Sequence, residues 1–188
     1  MKKVYYVGGA FLTLLLLYTL SYMIWLYTPV EYTGPEIRTI SDWSRAVKET
    51  FDVEQDLCGF GQEFDEFVNA TDVYYINCAN QQAFRKARGI AVSANRAFPE
   101  PYKVKANLVK YSRQNLEDMC RKLRVNFDRS FHPVLRDAFV HLQRCKIFVY
   151  ADRITPKFRR EVEKIIPSDA VQYYQYYPPQ IAIGRTTT

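Results

Sequence analysis

The stretch from Val4 to Val30 constrains the fold of this chain most, because its 27 residues carry no charge. A helix that crosses a bilayer needs roughly 20 consecutive apolar residues, and in hydrocarbon only a helix satisfies its own backbone polar groups within one segment. Trp25 and neighbouring tyrosines lie near its C-terminal end, where interfacial aromatic residues are expected. The stretch therefore predicts a transmembrane helix over residues 4–27.

A cleaved signal peptide is the alternative interpretation of this stretch. Signal peptides also begin with basic residues, as Lys2 and Lys3 do here, but their apolar region is typically about 7–15 residues long and ends in small residues. The greater length and bulky residues such as Trp25 favour an uncleaved anchor. Because Glu31 is the first charge after the helix, the positive-inside tendency predicts a type II topology with a cytoplasmic tail over residues 1–3.

This topology exports the rest of the chain and suggests where it is located. Residues 28–40, which contain two prolines and a glycine, are predicted to be a stem, and residues 41–184 are long enough for one domain. Residues 185–188 are predicted to be a disordered tail. A single-pass type II protein of this kind is expected in the Golgi or the endoplasmic reticulum, with the cell surface as the other location.

The net charge of +6 limits the partners that the chain can have. A membrane is the first predicted partner, and an exported domain does not normally meet nucleic acid. A basic face could attract an anionic lipid surface, an acidic glycan or a nucleotide sugar, although charged faces are usually just solvated surface. The oligomeric state cannot be read from the sequence.

Four cysteines and one sequon are typical of an exported protein. The cysteines are disulfide candidates in an oxidising compartment, and four buried thiols are the alternative; they are Cys58, Cys78, Cys120 and Cys145. Asn69-Ala70-Thr71 is a glycosylation sequon that should lie on the surface. No metal site is predicted, because the histidines and cysteines lack ligand spacing. The acidic residues near Asp65 fit a polar loop or helix start better than a catalytic pair.

Beyond the anchor, strand and helix signals alternate. Strands are predicted over 72–78, 102–108, 145–150 and 170–177, with a short one at 124–127 and another at 181–183. Helices are predicted over 42–53 with Ser41 as the N-cap, over 81–98, from Ser112 to Leu123, from Pro133 to Leu142, and from Pro156 to Ile166. This order predicts an α/β fold: a Rossmann-like three-layer domain with a mainly parallel sheet, following the N-terminal transmembrane helix.

In open α/β sheets, ligands bind beyond the carboxyl ends of the strands, and Asp152 follows such a strand. An aspartate there can bind a ribose, and a helix starting after Thr155 offers free N–H groups to a phosphate. Tyr150, Asp152 and Thr155 are therefore the candidate nucleotide-binding residues, although Asp152 could instead only shape its loop. Tyrosines 173, 174, 176 and 177 could stack on sugars, but side-chain alternation in a strand prevents one face from containing all four.

Two segments resemble Golgi type II glycosyltransferase-like domains, including families expanded in nematodes. They are KIFVYADRITPKFRREVEKI with VQYYQYYPPQIA, and YYINCANQQAFRKARGIAVSANRAFPEPYKV. The resemblance implies a secretory-pathway fold of the nucleotide-sugar type. These enzymes usually hold a divalent cation, such as manganese, through an Asp-x-Asp triplet, and no such triplet occurs in this chain. The resemblance therefore implies a truncated or degenerate relative, with manganese as cofactor only if it is an active transferase.

Two functions follow from these observations. The first is a membrane protein of the secretory pathway with a glycosyltransferase-like lumenal domain, with or without catalytic activity. The alternative is a non-enzymatic membrane protein that acts as an adaptor, complex subunit or surface protein.

Overall fold

A computed structural model describes residues 2–127 and 134–177. The chain divides into two compact units, Met1–Ser112 (unit 1) and Arg113–Thr188 (unit 2). The elements of unit 1 are α1 (Lys2–Tyr27), α2 (Ile40–Thr50), β1 (Leu57–Phe64), β2 (Ala70–Cys78), α3 (Gln81–Ala97) and β3 (Lys103–Leu108). The elements of unit 2 are α4 (Arg113–Asn126), β4 (Leu135–His141), β5 (Lys146–Ala151), α5 (Pro156–Glu163), a 3-10 helix (Ser168–Ala170) and β6 (Val171–Gln175).

The sheet of unit 1 has three strands in the order β1-β2-β3. Strand β1 pairs antiparallel with β2, and β2 pairs parallel with β3. Ile76 in the middle strand lies opposite Phe60 on one side and Ala106 on the other. Alternate strand residues pack against α2 and α3 in one core, whose fully buried members include Val47, Leu57, Ile76, Ala87, Ile90 and Ala94.

Helix α2 begins at a capping box rather than at the predicted Ser41. The Thr39 hydroxyl accepts a hydrogen bond from the Asp42 N–H at 3.1 Å, and the Asp42 carboxylate accepts one from the Thr39 N–H at 3.0 Å. This exchange satisfies two backbone donors that a helix start leaves unpaired. It places Trp43 and Val47 of the following turns in the core.

Apart from its short 3-10 helix, unit 2 has the same order of elements as the part of unit 1 from α2 to β3: a helix, an antiparallel hairpin, a second helix, and a third strand parallel to the middle one. Its sheet order is β4-β5-β6, with β4 antiparallel and β6 parallel to β5. The buried side chains of this unit come from both helices and from one face of the sheet; they include Leu116, Leu123, Ala138, Ile147, Val149, Phe158 and Val162. Thr155 caps α5 and Pro156 occupies its first turn, which confirms the predicted start of that helix.

The predicted Rossmann-like, mainly parallel sheet is wrong, because each unit has a small mixed sheet of three strands. Strand β1 is not among the predicted strands. Strand β4 occupies the segment predicted as a helix, of which Pro133 lies outside the described residues. A register shift between Leu135 and Asp137 brings Leu135 and Ala138 both into buried positions, which imitates the spacing of a helical turn.

The transmembrane helix predicted over residues 4–27 is also wrong. Residues Lys2–Tyr27 do form the helix α1, but within residues 2–127 and 134–177 no helix is long and apolar enough to cross a membrane. The last turns of α1 instead pack against the core of unit 1. Leu26 is buried in the core of unit 1, and Tyr22 packs against that core. Residues 124–127, predicted as a strand, are the end of α4 and the turn after it, and residues 181–188 lie outside the described part.

Gly89 of α3 lies where residues 30–32 cross the helix, and its replacement by alanine has a predictable sign. A Cβ at this position would lie far inside contact distance of the Val30 carbonyl oxygen and 3.4 Å from the Tyr32 backbone nitrogen. Alanine normally stabilises a helix by about 0.5–1 kcal/mol relative to glycine, but overpacking typically costs about 1–3 kcal/mol. We expect Gly89→Ala to lower the stability of unit 1 by roughly 2 kcal/mol, measured by thermal unfolding of the full chain in mild detergent.

The matched control is Lys86→Ala, which removes an exposed side chain from the same helix and should leave the melting temperature nearly unchanged. A higher melting temperature for Gly89→Ala would show that the crossing is looser than the structure describes.

Candidate functional site

The carboxylate of Asp152, predicted to bind a nucleotide, is paired within its own unit. It accepts a hydrogen bond from Nε of Arg136 at 2.6 Å, and this hydrogen bond raises the pKa of the Arg136 guanidinium. The same guanidinium lies 5.9 Å from the centre of the Tyr176 ring. The Asp152 backbone N–H donates to the Val134 carbonyl at 2.8 Å. Asp152 thus joins the end of β5 to the start of β4, which agrees with a role in shaping the loop.

Thr155 and Tyr150 are the other two predicted nucleotide-binding residues. The Thr155 hydroxyl accepts a hydrogen bond from the Phe158 N–H at 3.1 Å and so caps α5. The Tyr150 ring lies 5.7 Å from that of Phe139 and 5.2 Å from that of Tyr174, with interplanar angles of 16° and 17°. The sequence places Thr155 and Tyr150 near Asp152, but both have structural partners inside unit 2.

An aromatic ladder crosses one face of the sheet in unit 2. It consists of Phe139 and His141 on β4, Phe148 and Tyr150 on β5, and Tyr174 on β6, with neighbouring ring centres 4.4–5.8 Å apart. This spacing is close to the distance between strands, so the rings stack on one another across the sheet. Their faces are turned toward neighbouring rings, and the ladder stabilises the sheet rather than offering an open stacking platform to a sugar.

Tyr173 lies on the opposite face of β6, and its hydroxyl is buried without a hydrogen-bond partner among the described residues. Its ring contacts that of Phe158 edge-on at 6.3 Å. Burial raises the pKa of Tyr173 to about 12, and the nearby Glu163 carboxylate adds to the rise. An unfolded tyrosine ionises near pH 10, so the unfolded state loses this proton first as the pH rises.

We therefore expect Tyr173 to lower the free energy of unfolding of unit 2 as the pH rises from about 10 to about 12. Below pH 10 we expect no such effect. Tyr173→Phe removes the ionisable hydroxyl and should retain stability over that window. The measurement is the difference in melting temperature between the wild type and Tyr173→Phe as a function of pH, because this difference cancels the titration of other groups. At pH 7 the Tyr173→Phe variant should be as stable as the wild type or slightly more stable, since the deleted hydroxyl is buried without a partner among the described residues. A constant difference across the window would contradict the assignment.

The four cysteines are buried free thiols in the structure. The Cys120 thiol donates to the Ala138 carbonyl at 3.3 Å, and that of Cys145 donates to the Leu142 carbonyl at 3.3 Å. Burial raises the pKa of the Cys120 thiol, which makes it less reactive. These observations agree with the buried-thiol alternative, while disulfide formation in an oxidising compartment stays a prediction.

Asp65 and Asn69 lie in the turn between β1 and β2, and the other two residues of the predicted sequon begin β2. Asn69 is exposed, and its backbone N–H donates to the Asp65 carboxylate at 2.8 Å. Hydrogen bonds from Asn69, together with one from the Phe67 N–H, lower the pKa of Asp65. Asp65 therefore organises the turn. Over residues 2–127 and 134–177, no group of three or more histidine, cysteine or acidic side chains could hold a metal ion.

The most unusual surface of unit 1 is that of α1. Its large apolar side chains from Phe11 to Leu20 are between 49% and 71% exposed: Phe11, Leu12, Leu14, Leu15, Leu16, Leu17, Tyr18 and Leu20. Successive residues of a helix are turned by about 100°, so these positions cover its whole circumference. Exposed apolar surface of this extent normally marks an interaction site, and a helix that is apolar all round is typical of a core or a membrane.

Two arginines of α3 hold the C-terminal end of α1. Nε of Arg85 donates to the Thr28 carbonyl at 3.3 Å, and Nη1 of Arg88 donates to the Tyr27 carbonyl. The guanidinium carbon of Arg85 lies 4.4 Å from the centre of the Trp25 ring, and that of Arg88 lies 5.3 Å from the Tyr27 ring. Cations near the last carbonyls of a helix are favoured by its dipole. We call Arg85, Arg88, Trp25 and Tyr27 the arginine collar.

The contacts of the collar were not predicted from the sequence. Arg85 and Arg88 are three residues apart and therefore lie on one face of the predicted helix 81–98, which is the only signal that the sequence offers. Their partners on α1 are 57 and 61 residues away along the chain, and only folding brings them together.

No family profile matches this sequence, and no curated protein matches it significantly.

Proposed function

We propose that this chain is a non-enzymatic, membrane-associated protein in which α1 is inserted into lipid without crossing the bilayer and holds unit 1 at the membrane surface. The observation that supports this most is the exposed apolar surface around α1, which has no polar side from Phe11 to Leu17 apart from Thr13. A protein groove covers one side of a helix, whereas lipid covers every side. Lipid is therefore the environment that matches this distribution.

The size of the apolar surface supports the same conclusion. Burying one leucine side chain contributes about 1.5–3 kcal/mol, and α1 exposes Leu12, Leu14, Leu15, Leu16, Leu17 and Leu20. Transfer of these side chains from water to hydrocarbon would together contribute on the order of 10 kcal/mol. This contribution is comparable to the stability of a whole domain, so the helix has a strong tendency to leave water.

The non-enzymatic alternative is preferred over the transferase because the three candidate nucleotide-binding residues already have structural roles. Asp152 is paired with Arg136, the hydroxyl of Thr155 caps α5, and the ring of Tyr150 is stacked between two others. A nucleotide sugar would have to displace these contacts. A role as adaptor or complex subunit requires none of this.

The test is the fractionation of the full chain after synthesis in the presence of membranes. We expect the protein to remain with the membranes after washes with high salt and with alkaline carbonate, and to be released by detergent. Recovery of the full chain in the supernatant as a stable oligomer would show that a second copy, not lipid, covers α1. The predicted secretory location stays a prediction, and the exposed Asn69 is the position at which glycosylation would report it.

A further inference from the structure

The arginine collar is fixed at the level where the exposed apolar surface of α1 ends. The apolar side chains extend from Phe11 to Ile24, and the two arginines of the collar contact Trp25, Tyr27 and Thr28. Tryptophan and tyrosine prefer the boundary between hydrocarbon and headgroups in membrane proteins. If α1 lies in lipid, Trp25 and Tyr27 lie at that boundary, and the two guanidinium groups lie among the headgroups.

We propose that the collar binds the phosphate groups of anionic phospholipids. This inference rests on the proposed function, because the collar reaches headgroups only when α1 is embedded in the bilayer. The collar adds a preference for anionic lipid to the proposed membrane association. The apolar helix alone would enter any bilayer, whereas the collar selects an anionic one.

The donors of the collar suit this ligand. A guanidinium has five N–H donors in a planar fork that matches phosphate, and one N–H of each arginine is used for a backbone carbonyl at or directly after the end of α1. Among the described residues, no carboxylate forms an ion pair with Arg85 or Arg88. Their two positive charges are therefore not compensated within the described protein, and anionic headgroups would compensate them.

The surface beside the collar has room for a headgroup. An open cleft of about 630 Å³ is lined by Trp25, by residues 79–82 at the start of α3, and by Leu108, Val109 and Lys110 after β3. Gln82 contributes an amide group to it and Lys110 an ammonium group, whereas the Gln81 amide donates to the Tyr22 hydroxyl. A glycerophosphate group next to Trp25 would lie near the Arg85 guanidinium, which stands above the indole ring.

The experiment is a flotation assay of the full chain, synthesised cell-free with vesicles of phosphatidylcholine alone or of phosphatidylcholine mixed with phosphatidylserine. We expect tighter partitioning of the wild type into the mixed vesicles. Each lysine or arginine near an anionic surface is worth about 1 kcal/mol, so Arg85→Gln and Arg88→Gln should each reduce the preference roughly five-fold and together roughly 25-fold. Lys86→Gln, which removes the same charge from an exposed site between them, is the matched control and should have the smaller effect.

The outcomes separate this inference from the function on which it rests. Binding of the wild type to neither kind of vesicle would overturn both. Equal binding to both kinds, or an unchanged preference in the double variant, would overturn the collar alone. Because the double variant could loosen the end of α1, the wild type is also tested in about 1 M salt, where the Debye length falls to about 3 Å. A preference that persists there is not electrostatic and overturns the inference independently of any variant.

Discussion

Replacement of both Leu15 and Leu16 by arginine is expected to release the protein from membranes. The two leucines are 49% and 61% exposed and lie in the middle of the apolar surface of α1. An arginine deep in a bilayer costs about 2.5–3.5 kcal/mol on insertion scales, and the lost leucines add to this cost. The pair should therefore weaken membrane association by roughly 5 kcal/mol or more, which corresponds to a decrease of more than a thousand-fold in partitioning.

The control for this experiment is Leu15→Met with Leu16→Met, which retains apolar volume and should leave the protein in the membrane fraction. Neither leucine belongs to the buried core of unit 1, so the melting temperature of unit 1 should be the same in the double arginine and the double methionine variants. Membrane recovery of the double arginine variant at the level of the wild type would exclude α1 as the lipid-embedded element.

Replacement of Trp43 by alanine is expected to unfold a large fraction of unit 1. The Trp43 side chain is 2% exposed, and its ring meets the rings of Phe60 and Tyr74 edge-on at 5.9 and 5.4 Å. It connects α2 to both strands of the hairpin. Removal of a buried tryptophan typically costs about 3–5 kcal/mol, a large part of the 5–15 kcal/mol that stabilises a typical domain.

Trp43→Phe separates the effect of volume from that of polarity. The indole N–H of Trp43 is buried without a hydrogen-bond partner among the described residues, so its loss should cost little. We expect Trp43→Phe to cost roughly 1–2 kcal/mol, well below the alanine variant, because it leaves a smaller cavity. The measurement is thermal unfolding of the full chain in mild detergent, followed by circular dichroism. If both variants melt within a degree of the wild type, the α2 contact is not part of the stable core.

The sequence predicted best those elements whose signals are local. Helix α3 was found because its buried alanines and Ile90 repeat at helical spacing, and α5 because Thr155-Pro156 is a strong start signal. Strands β2 and β5 were found because their short runs are rich in β-branched and aromatic residues. In each case the residues that decide the structure are within one or two turns, or one strand, of each other.

The partners of the candidate site residues could not be predicted from the sequence, for a physical reason. Tyr150, Asp152 and Thr155 lie where the sequence placed them, at the end of β5 and the start of α5, but their partners could not be predicted. Arg136 reaches Asp152 from β4, a strand that had been predicted as a helix. A titratable residue at a strand end suggests a ligand site, but it has a structural role when an arginine from another strand pairs with it.

The apolar helix α1, the helices α3 and α5 and the middle strands β2 and β5 follow from local sequence, because periodicity and capping are properties of neighbouring residues. The direction of the strands follows from the fold instead, because pairing depends on contacts between distant residues and on register shifts such as that at Leu135. The fold also decides that the end of α1 is held by Arg85 and Arg88, since cation–π contacts and carbonyl capping across about 60 residues leave no local pattern.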